Sequence, residues 1–135
     1  MKSEKIKISE LIHLAREARQ YARAEYSKFR VGAALEAVDG RIFTGVNVES
    51  SSYGLSICAE RVALFKALSE GADRFTRLVV ATDVEPPAAP CGACRQLLWD
   101  YARGIEIILA GKSGEPVVMT IEELFPKAFG SENLS

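Results

Sequence analysis

A chain of 135 residues is long enough to build one hydrophobic core and too short for two independently folded domains. With 48% hydrophobic and 26% charged residues it falls among ordinary globular chains, which excludes a disordered or collagen-like one. Seventeen Lys and Arg against eighteen Asp and Glu leave a formal charge of −1, so no cationic surplus exists to neutralise a run of phosphates, and polymeric nucleic acid is not an expected partner.

The start, Met1 to Lys7, carries charges with no apolar run behind it, and no stretch approaches a membrane span. A soluble, untargeted, cytoplasmic protein is expected, and the sequon Asn133-Leu134-Ser135 is read as chance. From Ile8 to about Ala24, apolar residues at Ile8, Leu11, Ile12, Ala15, Ala18 and Ala22 recur at helical spacing, with Ser9 as an early cap. His13 shares a face of that helix with Glu17 and Gln20 and should point to solvent. Phe29 to Val38 and Arg41 to Val48 read as a β-hairpin closed by a two-residue Asp39-Gly40 turn. A polar stretch, Ser50 to Ser56, leads into a second helix over Ile57 to Leu68 that Gly71 stops.

Arg77 to Thr82 reads as a buried strand, Gly92 to Ala102 as a third helix, and Ile105 to Ala110 as another strand. Val117-Val118-Met119 is a candidate last strand, and Thr120 caps a short helix over Ile121 to Phe125. This order predicts a mixed sheet flanked by helices. Gly111-Lys112-Ser113 resembles the end of a phosphate-binding loop, but Glu106 stands where the upstream glycine belongs, so a turn is assigned.

Three cysteines are an odd number and too few for a disulfide scaffold, which points to reduced thiols in metal or catalytic chemistry. All three belong to one constellation, Cys58-Ala59-Glu60 and Pro90-Cys91-Gly92-Ala93-Cys94, and both segments open predicted helices. Helix N-termini stabilise thiolates, and zinc favours them as ligands. Three protein ligands leave the fourth tetrahedral position open for water, the arrangement of a catalytic rather than a structural site. Glu60, two residues after Cys58, is placed to move protons without binding the metal. Three thiolates on Zn²⁺ sum to a charge of −1, which Arg61 is expected to offset in preference to Arg95.

The pattern Cys58-x-Glu60 with Pro90-Cys91-x-x-Cys94 matches the signature of zinc nucleobase deaminases in its all-cysteine form. The chain as a whole resembles the small homotetrameric cytidine deaminases. The resemblance runs through Tyr26-Ser27-Lys28-Phe29-Arg30-Val31-Gly32-Ala33-Ala34, Gly45-Val46-Asn47-Val48-Glu49, Cys58-Ala59-Glu60-Arg61, Pro90 to Gln96, and Ala128-Phe129.

It implies one cytidine/deoxycytidylate-deaminase-like domain over residues 1–135, with a three-layer α/β/α fold around a mixed central sheet. It implies one Zn²⁺ per subunit on Cys58, Cys91 and Cys94, with Glu60 as proton shuttle and Arg61 behind the ligands. Hydrolytic deamination of cytidine and deoxycytidine, as in pyrimidine salvage, is the implied activity. Phe29, Asn47, Val48, Glu49 and Ala59 correspond to nucleoside-binding positions, and Tyr53 and Phe129 to residues that complete a neighbouring subunit's site. The implied partners are therefore a small nucleoside and other copies of the chain in a homotetramer, with no membrane. Ser50-Ser51-Ser52 departs from the family, where an amide often follows the glutamate.

Two other readings remain at this stage. One is a deaminase of a modified cytosine nucleoside such as blasticidin S, against which Phe29 and Glu49 argue. The other is a zinc-stabilised binding module without catalysis, against which Glu60 argues, because a structural site needs no proton shuttle.

Overall fold

The computed structural model describes residues 6–134. Residues 1–5, and with them most of the charged start, lie outside the described residues, as does Ser135 of the sequon. Five strands form one mixed sheet in the order β2-β1-β3-β4-β5, with β1 Gly32–Ala37, β2 Ile42–Val46, β3 Phe75–Ala81, β4 Glu106–Ala110 and β5 Val117–Thr120. Only β3 and β4 run parallel, and α3 (Gly92–Tyr101) forms the crossover between them. The other pairs are antiparallel.

Strand alternation sorts the core into two layers. On one face Ala34, Val79, Ala81, Ile108 and Ala110 pack against Leu11, Ile12 and Ala15 of α1 (Ile8–Arg19). On the other, Ala33, Leu35, Leu78, Val80, Ile107 and Leu109 meet α2 (Ala59–Ser69), α3 and the short α4 (Ile121–Leu124). The result is the expected three-layer α/β/α architecture. Among the described residues no helix is long and apolar enough to cross a membrane. Two glycines let helices approach the sheet closely: a Cβ on Gly32 would lie 2.8 Å from the Arg19 amide nitrogen, and one on Gly45 would lie 2.6 Å from that of Ala63.

Several boundaries differ from expectation. The first helix stops at Arg19 rather than near Ala24, because the chain turns there and Arg23 bridges to Val48 instead. Its N-cap is Lys7, without a side-chain bond, so Ser9 does not cap it. His13 is exposed as expected, its Nε2 lying 3.4 Å from Glu17. The hairpin does not close in two residues: Ala37 and Arg41 pair across Val38-Asp39-Gly40, with Gly40 at φ 94°. This three-residue loop has glycine in the left-handed position that it requires. β1 starts at Gly32 and not Phe29, because the Phe29 carbonyl and the Val31 amide bond to the Asn47 side chain rather than to a neighbouring strand. Thr120 caps the last helix as expected, in a reciprocal capping box with Glu123.

At β1 and β3, Glu36 and Arg77 face each other in register and form a buried bidentate pair, with Nε to Oε1 at 2.7 Å and Nη2 to Oε2 at 2.6 Å. Arg77 also donates to the Ile6 carbonyl, tying the segment before α1 to the sheet.

Candidate active site

The two cysteine segments enter their helices alike. Cys58 is the N-cap of α2 and Cys91 the N-cap of α3, both in extended backbone, and Cys94 lies one turn into α3. Their sulfurs therefore converge where two helix N-termini meet. The three Sγ atoms lie within 4.8 Å of one another, with Cys58 to Cys91 and Cys91 to Cys94 both at 3.5 Å. Sulfurs about 2.3 Å from a tetrahedral zinc are spaced roughly 3.8 Å apart, so this donor set fits Zn²⁺ in type, number and spacing. No fourth cysteine, histidine or carboxylate joins the group among the described residues.

The protonation of the cluster points the same way. A hydrogen bond from Cys94 and then one from Arg61 draw the Cys58 thiol down to about 5, despite its burial. The same contact with Cys58, together with burial, pushes the Cys94 thiol above the ordinary thiol range. Three thiols this close resist losing their protons together, and a divalent cation among them removes that resistance. Arg61 Nη2 lies 3.7 Å from Cys58 Sγ, so the expected charge compensation is in place. Arg95 points elsewhere, with Nε donating to the Pro90 carbonyl and Nη1 to that of Leu124.

Glu60, in the first turn of α2, is only 6% exposed. Burial lifts its carboxyl to about 7, and the charge on Cys58 adds to the effect. It faces a cavity of about 470 Å³ that also takes in Cys58, Cys91, Ala59 and Arg61. This is the size of a small-molecule site, and its walls are mostly apolar.

The far end of the cavity holds Phe29, Asn47, Glu49 and Tyr53. Asn47 and Glu49 bind the 26–31 segment of their own chain. Asn47 Oδ1 accepts from the Val31 amide at 2.9 Å, and Nδ2 donates to the Phe29 carbonyl at 2.7 Å. Glu49 Oε1 accepts from the Tyr26 and Ser27 amides at 3.0 Å each, and Oε2 accepts from the Ser27 hydroxyl. These bonds, the Ser27 hydroxyl first, hold the Glu49 carboxyl below its usual range, so it stays anionic.

Val48 does not line the cavity; its backbone bonds to Ile57 and the residue is 40% exposed. Tyr53 lines this chain's own cavity and meets Tyr26 edge to face. Phe129 is exposed and apart from it. Sequence reasoning missed Ser27, Ile57, Val80, Thr82, Ala88 and Ala89 as wall residues. Ser27 alone had a usable signal, since it stands two residues before Phe29.

A family model described as "Cytidine and deoxycytidylate deaminase zinc-binding region" matches residues 5–110. A cytidine deaminase from Sporosarcina psychrophila is 44% identical over 129 residues, covering 95% of each chain. The crystal structure of cytidine deaminase from Burkholderia pseudomallei superposes with a TM-score of 0.89 at 43% identity, covering 92% of this chain and all of the other. A blasticidin-S deaminase from Bacillus cereus is more distant, 34% identical over 76% of this chain and 78% of its own. With the fold and the cysteine cluster both in agreement, the chain belongs to the cytidine and deoxycytidylate deaminase family.

Proposed function

We propose that this chain is a zinc-dependent cytidine deaminase that converts cytidine and deoxycytidine, with water, to uridine and deoxyuridine plus ammonia. The observation that carries the reading is the buried Glu60 carboxylate beside three converging thiols at the end of one cavity. Cys58, Cys91 and Cys94 would hold the metal, and Zn²⁺ bound there supplies Lewis acidity and an acidified water at neutral pH.

The chain's own groups do the rest. Glu60 takes the proton of the attacking water on a carboxylate oxygen. It delivers that proton to N3 of the cytosine, then takes the second proton from the hydroxyl now on C4 and passes it to the departing amine, so the attacked C4 gains oxygen as a carbonyl and loses nitrogen as ammonia. A carboxyl raised by burial serves both as base and as acid near pH 7. Arg61 tempers the charge on Cys58. Phe29 offers an apolar wall to the nucleoside, and Asn47 and Glu49 offer an amide donor and a carboxylate acceptor, respectively, to the sugar hydroxyls while fixing the 26–31 segment.

In the same reading residues 1–135 act as one domain, and the protein is cytoplasmic and serves pyrimidine salvage. Assembly is a homotetramer in which Tyr53 and Phe129, 76% and 53% exposed, reach a neighbouring subunit's cavity.

The test is the ultraviolet change of cytidine, deoxycytidine and blasticidin S with zinc-loaded protein, run beside Glu60→Ala. Rapid loss of the two nucleosides, abolished in a variant with unchanged zinc content and folding, is expected. Retained turnover in the variant sinks the proton-shuttle role. Turnover of blasticidin S alone moves the substrate assignment.

A further inference from the structure

A second cavity, of about 410 Å³, lies between the last turns of α1 and the carboxyl ends of β3 and β4. Arg16, Arg19, Arg30 and Lys112 line it together with Thr82 and Asp83. Four cations face one cavity in a chain whose formal charge is −1, and such a concentration of like charge is costly unless a counter-charge enters.

The carboxylates nearby do not cancel it. Asp83 meets Arg19 at 3.7 Å, across a contact half open to solvent on the Asp83 side. Glu85 lies near Arg16, but its carboxylate accepts the Ser113 and Gly114 amides at 3.0 and 2.8 Å. Arg16 donates to the Gly111 carbonyl at 2.9 Å, a neutral partner that orients the guanidinium and leaves its charge. The side chains of Arg30 and Lys112 have no hydrogen bond or ion pair among the described residues.

An independent observation concerns Thr82. Its residue is 3% exposed, and its hydroxyl is buried without a hydrogen-bond partner. A buried polar group in that state is rare and costs free energy until a partner arrives. Thr82 stands just past the end of β3, in the wall common to this cavity and the catalytic one.

We propose that this second cavity binds a small phosphorylated metabolite, its phosphoryl dianion held by Arg16, Arg19, Arg30 and Lys112 and receiving the Thr82 hydroxyl. Guanidinium forks match phosphoryl oxygens in pairs, and a dianion is the counter-charge that four cations against one lining carboxylate call for. The volume exceeds what a bare phosphate fills and leaves room for an organic portion. The site is made of side chains rather than loop amides, because the Ser113 and Gly114 amides already serve Glu85.

The test is calorimetric titration of the zinc-loaded full chain with inorganic phosphate and with ribose 5-phosphate, at constant ionic strength. It is run beside Arg30→Gln and Lys112→Gln. Lys112 lines only the second cavity and lies outside the 26–31 segment, so in Lys112→Gln folding and cytidine turnover stay at wild-type values. Saturable one-site binding, at least about tenfold weaker in each variant and several-fold weaker in Thr82→Val, is expected. Binding of equal strength in the wild type and both Gln variants places the anion elsewhere and overturns the proposal, as does the absence of saturable binding. Uptake of phosphate with exclusion of ribose 5-phosphate overturns the assignment to a metabolite.

Discussion

Replacing Asn47 by alanine separates what this residue does for the fold from what it does for substrate. Asn47 is 9% exposed and makes two bonds to the 26–31 segment, so the change leaves the Val31 amide buried and unpaired. That loss costs about 1–3 kcal/mol, and the Phe29 carbonyl, partly open to water, adds roughly 1 kcal/mol. At about 2.1 cal/mol/K per residue of unfolding entropy, a chain of this length loses about 3.5 °C in Tm per kcal/mol, giving a fall of about 7–14 °C. The assay is thermal unfolding by circular dichroism at one fixed protein concentration, because assembly would make Tm depend on it. Steady-state kinetics on cytidine and deoxycytidine follow, well below both midpoints. KM should rise for both nucleosides, since Phe29 loses its anchor and the sugar loses an amide. A Tm within 2 °C of wild type would refute the structural half of this reasoning. A full fall in Tm with unchanged kinetics would remove Asn47 from the nucleoside site.

Arg77→Met leaves the Glu36 carboxylate buried without its bidentate partner and should cost about 3–5 kcal/mol by urea unfolding, with most of the loss recovered in Glu36→Leu/Arg77→Met. Zinc added to metal-free protein in weak buffer should release protons, read by a pH indicator. Cys58, drawn down to about 5, is already a thiolate at pH 7 while Cys94 still carries its proton, so release should increase as the pH falls from 7 to 5; a decrease would contradict the cluster's ordering. Gly45→Ala should push α2 off the sheet, because the added Cβ meets the Ala59 carbonyl and the Ala63 amide. Overpacking of this kind typically costs about 1–3 kcal/mol, and the zinc content per chain should fall with turnover, whereas a fully loaded variant would mean the helix yields without moving Cys58.

What was legible in the sequence is what depends on near neighbours. Cys58 and Cys91 could be placed at helix starts because helical runs open at Ile57 and Gly92, although α2 itself begins at Ala59 since Ile57 pairs with Val48, and Thr120 because Glu123 completes its box three residues on. The alternation of core faces also follows from strand period alone. The extent of β1 did not, since its early end is decided by Asn47, sixteen residues away, whose side chain takes the hydrogen bonds a neighbouring strand would have taken. Thr82, Ala88 and Ala89 join the site only because the segment after β3 runs beside α2, and no residue type there announces it. Asn47 and Glu49 were legible as polar residues on one face of an extended segment. Their partners in the 26–31 segment were hidden, because backbone amides leave no trace in side-chain patterning.

The position of the candidate metal centre is a consequence of sheet packing as much as of the cysteines. Cys58 rides on α2, which rests on β1 and β2, and Gly45, where a Cβ would run into the Ala63 amide, lets that helix come close to β2. Cys91 and Cys94 ride on α3, which lies on the same face between parallel β3 and β4. The gap between the two groups of sulfurs is therefore set by the lateral spacing from β2 through β1 to β3, a rigid distance fixed by backbone hydrogen bonds. The 26–31 segment, by contrast, is held outside the sheet ladder by the Asn47 and Glu49 side chains, a few backbone bonds, the Tyr26–Tyr53 contact and the packing of Phe29 and Val31. Substitutions in the sheet should thus act on metal content, and substitutions at Ser27, Asn47 or Glu49 on nucleoside affinity with the metal retained. A Ser27→Ala protein that lost zinc in proportion to its loss of affinity would show that the two ends of the cavity are not mechanically separate.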